Sequence, residues 1–154
     1  MERRHFLGQA GAAALATFAG GQVLAQAAKP AAKPAAGHQH HHASPKAELL
    51  IDALTDCINK GEACLAHCLI LMGDGDKSVA GCATSVSEMI ALCEGLRKLA
   101  AQGSKRAKEV ARIAKAACLD CEKECRKHEA KHAECRACAK SCADCAKECD
   151  KFVA

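Results

Sequence analysis

The amino-acid sequence predicts an all-α fold, an antiparallel up-down four-helix bundle with a cysteine-lined core. Three observations carry this reading. From Ser44 onward, cysteines and small apolar residues recur at gaps of three and four, which lays one stripe along each helix, as at a bundle seam. Turn signals at 73–76 and 103–104 cut the pattern into helix-length pieces with short connections, and short connections force neighbouring helices antiparallel. The chain has thirteen cysteines but no Trp or Tyr and only three Phe in 154 residues, so ordinary aromatic packing cannot fill its core.

The first 44 residues stand apart from this pattern. Residues 1–27 open with Arg3-Arg4-His5-Phe6-Leu7, pass through a weakly apolar Ala/Gly stretch and close on Ala25-Gln26-Ala27, a small-x-small cleavage pattern. This segment resembles a twin-arginine export signal, with Glu2 where Ser or Thr often stands. Gly8, Gln9, Gly11, Thr17, Gly20, Gly21 and Gln22 dilute it below a stable membrane span, so no membrane anchor is expected. The resemblance implies a domain that folds in the reducing cytoplasm and is then delivered to the periplasm. Residues 28–44 combine Ala-Lys-Pro repeats with Gly37 and the histidines His38, His40, His41 and His42, a composition expected to form a disordered linker. The histidines suit transition-metal capture or are simply a polar linker. What remains, residues 45–154, is one small domain with no room for a second, catalytic one.

Charge narrows the partners. The formal net charge is +4, from 22 Lys and Arg against 18 Asp and Glu, and the two signs are interspersed. Such a small surplus argues against a nucleic-acid partner.

The helices follow in order. Ser44-Pro45 fits an N-cap and first-turn pair, and the first helix ends near Gly73. Asp74-Gly75-Asp76 is a turn, with Asp76 placed to cap a second helix that runs to Gly103. Ser104 is placed to cap the third. No Gly or Pro marks the third boundary, yet the cysteine phase slips between Cys125 and Cys135, which puts a tight turn in residues 127–133. The fourth helix runs to about Phe152.

The stripes are Leu50, Leu54, Cys57, Gly61, Cys64, Cys68 and Leu71 in the first helix and Val79, Cys82, Val86, Met89, Cys93 and Leu96 in the second. The third carries Ala107, Ala111, Ala114, Cys118, Cys121, Cys125 and His128, and the fourth Cys135, Cys138, Cys142, Cys145, Cys149 and Phe152. All thirteen cysteines therefore face the bundle axis. Counted from the end where the first and third turns lie, the deepest cysteines sit at similar depths, and at a rise of about 1.5 Å per residue the thiols line a tube roughly 25 Å long. Leu50, Leu54, Leu96, Leu99, Val110, Ile113 and Phe152 are expected to plug the opposite end.

The chemistry follows from spacing. Cys64/Cys68, Cys121/Cys125, Cys138/Cys142 and Cys145/Cys149 are i,i+4 pairs, whose Cβ atoms lie about 5–6 Å apart on one helix face. Two thiolates at about 2.3 Å from a metal, the zinc–sulfur length, lie roughly 4.5 Å apart when they bind from opposite sides. One helix thus supplies a two-coordinate site for a soft ion, and copper(I) accepts such ligation. One monovalent ion per thiolate also leaves the filled core neutral, whereas each four-thiolate zinc site buries two excess negative charges.

The repeated Cys-x-x-x-Cys pairs, the cysteine stripe across four helices and the twin-arginine leader together resemble the copper storage protein family, four-helix bundles whose core cysteines bind many copper(I) ions. The resemblance covers residues 44–154 as architecture. It implies storage or buffering without catalysis, assembly as a tetramer, and supply of copper to a recipient enzyme or its detoxification in methane-oxidising and other bacteria.

Two alternatives stay open from the residues. A zinc-binding bundle could assemble four-thiolate sites across helices. A disulfide-stabilised helical protein is the other, although an odd cysteine count and the strain of an i,i+4 disulfide in a regular helix weigh against it. Ferredoxin-type cluster spacing and Cys-x-x-Cys-His haem attachment are both missing from the sequence. A thiol oxidoreductase needs one activated pair near a helix start, not thirteen core thiols. Beyond the cysteines, His67, Met72, His128 and His132 fall at or near the open end, as an entrance for metal or as ordinary helix-end residues. Met89 lies inside the second stripe, where core packing is the default and thioether ligation the alternative. Lys140 and Lys147 read as a solvated face.

Overall fold

Local signals set where each helix starts and stops. The computed structural model describes residues 44–154, and within them run α1 (Pro45–Gly73), α2 (Ala80–Ala101), α3 (Ala107–Arg126) and α4 (Ala133–Val153). The expected export signal and linker fall outside the described residues, apart from Ser44. The Ser44 hydroxyl accepts a hydrogen bond from the Ala47 amide at 3.3 Å, with Pro45 in the first turn, as the sequence predicts. After α1 the chain reverses through Gly75 at φ 96°, while the Asp76 amide donates back to the Leu71 carbonyl at 2.9 Å. A side chain there would meet the steric cost of left-handed backbone, roughly 1–2 kcal/mol. Asp76 does cap, but its carboxylate accepts from the Ser78 amide and starts a single 3-10 turn, Lys77–Val79, ahead of α2.

The second turn uses Gly103 at φ 62°, with the Ser104 amide donating to the Leu99 carbonyl at 2.9 Å. Ser104 accepts from the Arg106 amide at 3.2 Å, so it holds the turn and α3 begins at Ala107. The third turn lies in residues 127–132, where the phase slip places it. It closes without glycine because the Arg136 guanidinium donates twice to the Glu129 carbonyl, at 2.9 and 3.1 Å. That carbonyl lies in the turn, three residues past the end of α3, where no helix supplies it a partner.

Each helix packs on two neighbours, α1 on α2 and α4, and α3 on α2 and α4. The backbones of the diagonal pairs do not approach, which is the arrangement of an up-down bundle, and only side chains meet across the diagonals. Lys77–Ala101 is long and apolar enough to cross a membrane by length and composition, but its stripe forms part of the inner wall here.

Every predicted stripe residue is buried except Leu71, His128 and Phe152, which end their stripes and are half-buried. All thirteen cysteines are buried, alongside Ala107, Ala111 and Ala114, whose small side chains let α3 approach closely. Leu50, Leu54 and Leu96 fill the end away from the first and third turns, with Leu99, Val110 and Phe152 packed half-buried against them. Ile113 does not join this plug and is 55% exposed. It sits two residues past Ala111, about 200° around the helix from the inner face. The separation of sulfur from hydrocarbon is also less sharp than the stripes suggest, since Val79, at the end of the 3-10 turn, and Val86, on α2, are fully buried in the same core as the cysteines. Lys140 and Lys147 both pair with Asp144, at 2.9 and 3.0 Å, on a solvated face.

Candidate metal centre

The stripes bring sulfur atoms together in four groups, within each of which every Sγ lies within 4.8 Å of the others. Nearest the first and third turns is Cys64, Cys68, Cys82 and Cys135. Cys64, Cys125 and Cys138 follow, then Cys121, Cys138 and Cys142, and deepest is Cys57, Cys93, Cys118 and Cys145. Shared members join them: Cys64 belongs to the first two groups and Cys138 to the middle two. The Cys57 and Cys142 sulfurs, 3.7 Å apart, link the deepest group to the one above. Sulfur therefore runs without a break from one end of the column to the other, and Cys149 alone stands outside the four groups. All thirteen thiols are free, with no disulfide between them.

Cross-helix contacts dominate the column. Cys82 and Cys125 lie 3.4 Å apart, Cys93 and Cys118 3.6 Å, and Cys121 and Cys138 3.8 Å. Of the i,i+4 pairs singled out in the sequence, Cys121/Cys125 is in direct contact, at 3.9 Å. The hub is Cys64, with sulfurs at 3.9, 3.9 and 3.8 Å from Cys82, Cys125 and Cys135.

Crowded thiols polarise one another. Cys82 is pulled down to about 3 because Cys125, then Cys64, donate to its sulfur. Burial pushes Cys68 up to about 12 and Cys135 up to about 11, with a charge on Cys82 adding to both. Deeper, donation from Cys121 lowers Cys138, and a thiol contact with Cys118 raises Cys142. The metal-free column is thus a network in which a few thiolates are held by neighbouring thiols that keep their protons, as expected where burial disfavours charge.

Three of the four residues placed at the open end gather there. The His67 and His132 rings share a nitrogen–nitrogen hydrogen bond of 2.9 Å, and the His128 ring centroid lies 6.5 Å from that of His132. Met72 is 37% exposed and shares no hydrogen bond with them. Glu134, which the stripes do not mark, and Met89, whose thioether the sequence leaves as an alternative ligand, also matter. Glu134 places a carboxylate oxygen 3.7 Å from His67, its only sequence signal being its position beside Cys135 in the first turn of α4. Met89 places its thioether 3.4 Å from the Cys57 sulfur.

The family model described as copper storage protein matches residues 43–154, the whole of the bundle and its sulfur column. The chain belongs to the copper storage protein family. Solved structures agree. The apo form of copper storage protein 3 from Bacillus subtilis is 30% identical over 70% of this chain and 99% of its own, with a TM-score of 0.62. A copper(I)-bound form of BsCsp3 is 30% identical over 71% of this chain and 99% of its own, with a TM-score of 0.65. Ccsp from Streptomyces lividans, loaded with 10 copper equivalents, shares the fold at 20% identity over 70% of this chain and 83% of its own, with a TM-score of 0.64. No curated protein sequence matches the chain. The fold and the family expected from the cysteine stripes are those found.

Proposed function

We propose that this member of the copper storage family holds many copper(I) ions on the thiolates of its thirteen core cysteines, as a store or buffer and not as an enzyme. The continuous sulfur column carries the reading. Its sulfur contacts of 3.4–3.9 Å fall short of the roughly 4.5 Å that a linear two-thiolate site needs, so modest side-chain rotation opens each to the ion. Because most thiols have more than one sulfur neighbour, each thiolate can bridge two ions, and full loading approaches one ion per thiol. The test is anaerobic addition of copper(I) to reduced protein, with bound copper and free thiols counted together. Many ions bound as thiols disappear supports storage, and a plateau at one or two ions refutes it.

Zinc has one observation in its favour. The two four-sulfur groups are compact enough for tetrahedral thiolate coordination, which needs sulfurs about 3.8 Å apart. The three-sulfur groups and the neutral charge balance of a copper(I)-filled core favour copper, and competition between the two metals on one sample separates them.

His67, His128 and His132, with Met72 on the same end, form the entrance through which ions reach the column. The Arg3-Arg4 motif and the Ala25-Gln26-Ala27 site support export through a twin-arginine route to the periplasm. Replacing both arginines with lysine is expected to leave the protein in the cytoplasmic fraction, and unchanged fractionation removes the proposal. Assembly as a homotetramer fits the exposure of Leu69 and Ile70, 57% and 64%, on one flank of α1. A copper enzyme is the natural recipient of the stored ions.

A further inference from the structure

Storage on cysteine leaves one buried sulfur unused among the described residues, and on the basis of that reading we propose that Met89 is a thioether ligand in the middle of the core. It completes a three-sulfur copper(I) site with the thiolates of Cys57 and Cys142. Met89 has no exposed surface. Its Sδ lies 3.4 Å from the Cys57 Sγ, which in turn lies 3.7 Å from the Cys142 Sγ. Three sulfurs around one trigonal ion at about 2.3 Å stand roughly 4.0 Å apart, so both separations come near the required spacing without rebuilding the helices.

The arrangement of cysteines shows why a thioether matters at this level. No cysteine stands between Cys57 and Cys64 on α1, or between Cys82 and Cys93 on α2; the stripe positions there are Gly61, Val86 and Met89. The facing helices carry Cys121, Cys125, Cys138 and Cys142. Met89 is therefore the sulfur that the α1–α2 wall contributes between its two blocks of cysteines. Gly61 makes the room: a Cβ there would meet the Met89 Cε at 2.7 Å and the Ile90 Cγ1 at 3.0 Å. A mid-helix glycine is unfavourable for the helix, and here it admits the Met89 methyl group.

Leucine would fill this volume equally well, but it would present a methyl group to the Cys57 thiol where Met89 presents a soft lone pair. A thioether is neutral, so it adds a ligand without adding negative charge to a buried site. On binding, the Cys57 and Cys142 thiols release their protons to solvent and two thiolate–copper bonds and one thioether–copper bond form. Copper enters and stays as copper(I), so no electron moves.

The test uses full-length protein with selenomethionine at its three methionines, Met1, Met72 and Met89, loaded anaerobically with copper(I) and read by selenium-edge X-ray absorption. A selenium–copper path at bonding distance is expected in the loaded protein and is expected to vanish in Met89→Leu, with helical content checked by circular dichroism. Full copper loading without such a path overturns the Met89 assignment and leaves storage intact. A path that persists in Met89→Leu overturns it as well, because the contact then belongs to another methionine such as Met72. Failure of the protein to take copper onto its thiols refutes storage and this site together.

Discussion

Removing Cys64 is expected to cost more copper than removing Cys149, although both side chains are equally out of reach of water. Cys64 has three sulfurs within 3.9 Å and belongs to two of the four groups, whereas Cys149 belongs to none. A two-coordinate ion needs two sulfurs. In Cys64→Ala the first group keeps Cys68, Cys82 and Cys135 and the next keeps Cys125 and Cys138, so one bridge fails in each and capacity falls by about two ions. In Cys149→Ala it falls by about one at most. Both changes delete a single buried sulfur, and the metal-free proteins should lose similar stability, about 1–2 kcal/mol by analogy with removal of one buried methylene or two. Unequal copper loss at equal stability loss therefore isolates ligand connectivity from folding. Anaerobic titration against a chromogenic copper(I) chelator, with native mass spectrometry of the loaded proteins, gives the counts, and urea unfolding gives the stabilities. Equal copper losses, or a larger loss in Cys149→Ala, would refute the idea that shared thiolates set capacity.

Other outcomes follow from the same geometry. Replacing His67, Met72, His128 and His132 together is expected to slow loading several-fold while leaving capacity nearly intact, and stopped-flow loading at an unchanged rate removes their role as an entrance. Copper uptake is expected to weaken as pH falls, because Cys68 and Cys135 hold their protons up to about 12 and about 11 and must release them to bind; a pH-independent affinity contradicts this. The same two raised thiols make the metal-free bundle less stable above pH 9. The unfolded chain ionises at 9.0 while the folded thiols stay neutral, so their contribution is complete below pH 9 and is lost between 9 and about 11–12. Cys82, lowered to about 3, contributes fully above pH 9 and does not offset that loss. Thermal unfolding of reduced apo protein across this range, with a midpoint that rises instead, would contradict the assignment. In the hydrocarbon plug, Leu54→Ala is expected to cost about 2–5 kcal/mol of apo stability with no change in copper count, since Leu54 is fully buried and offers no ligand atom.

Much of the molecule was legible in advance because helices obey local rules. Gly75 and Gly103 end helices through backbone angles that only glycine adopts cheaply, and Ser44 caps through its own hydroxyl, so these boundaries could be read from neighbouring residues. The third turn was visible only as a slip in cysteine phase, because the contact that closes it, Arg136 to the Glu129 carbonyl, follows no turn motif. Ile113 falls outside the plug because its angle on the helix, and not its apolarity, decides its burial. The Glu134 carboxylate beside His67 was invisible to any pattern within one helix, since it joins α4 to α1.

By itself the sequence determined which residues share a helix face, because 100° and 1.5 Å per residue leave no freedom within one helix. It thereby determined that thirteen thiols would face inward and that soft monovalent metal would suit them. Only the tertiary structure decided which thiol meets which across the bundle, such as Cys57 with Cys142, 85 positions away, or Cys64 with Cys135. Those partnerships depend on the register between helices, which the turns and side-chain packing set jointly. A slip of one residue moves a sulfur about 1.5 Å along the axis and swings it to another face, more than the margin between a pair that can clasp an ion and one that cannot.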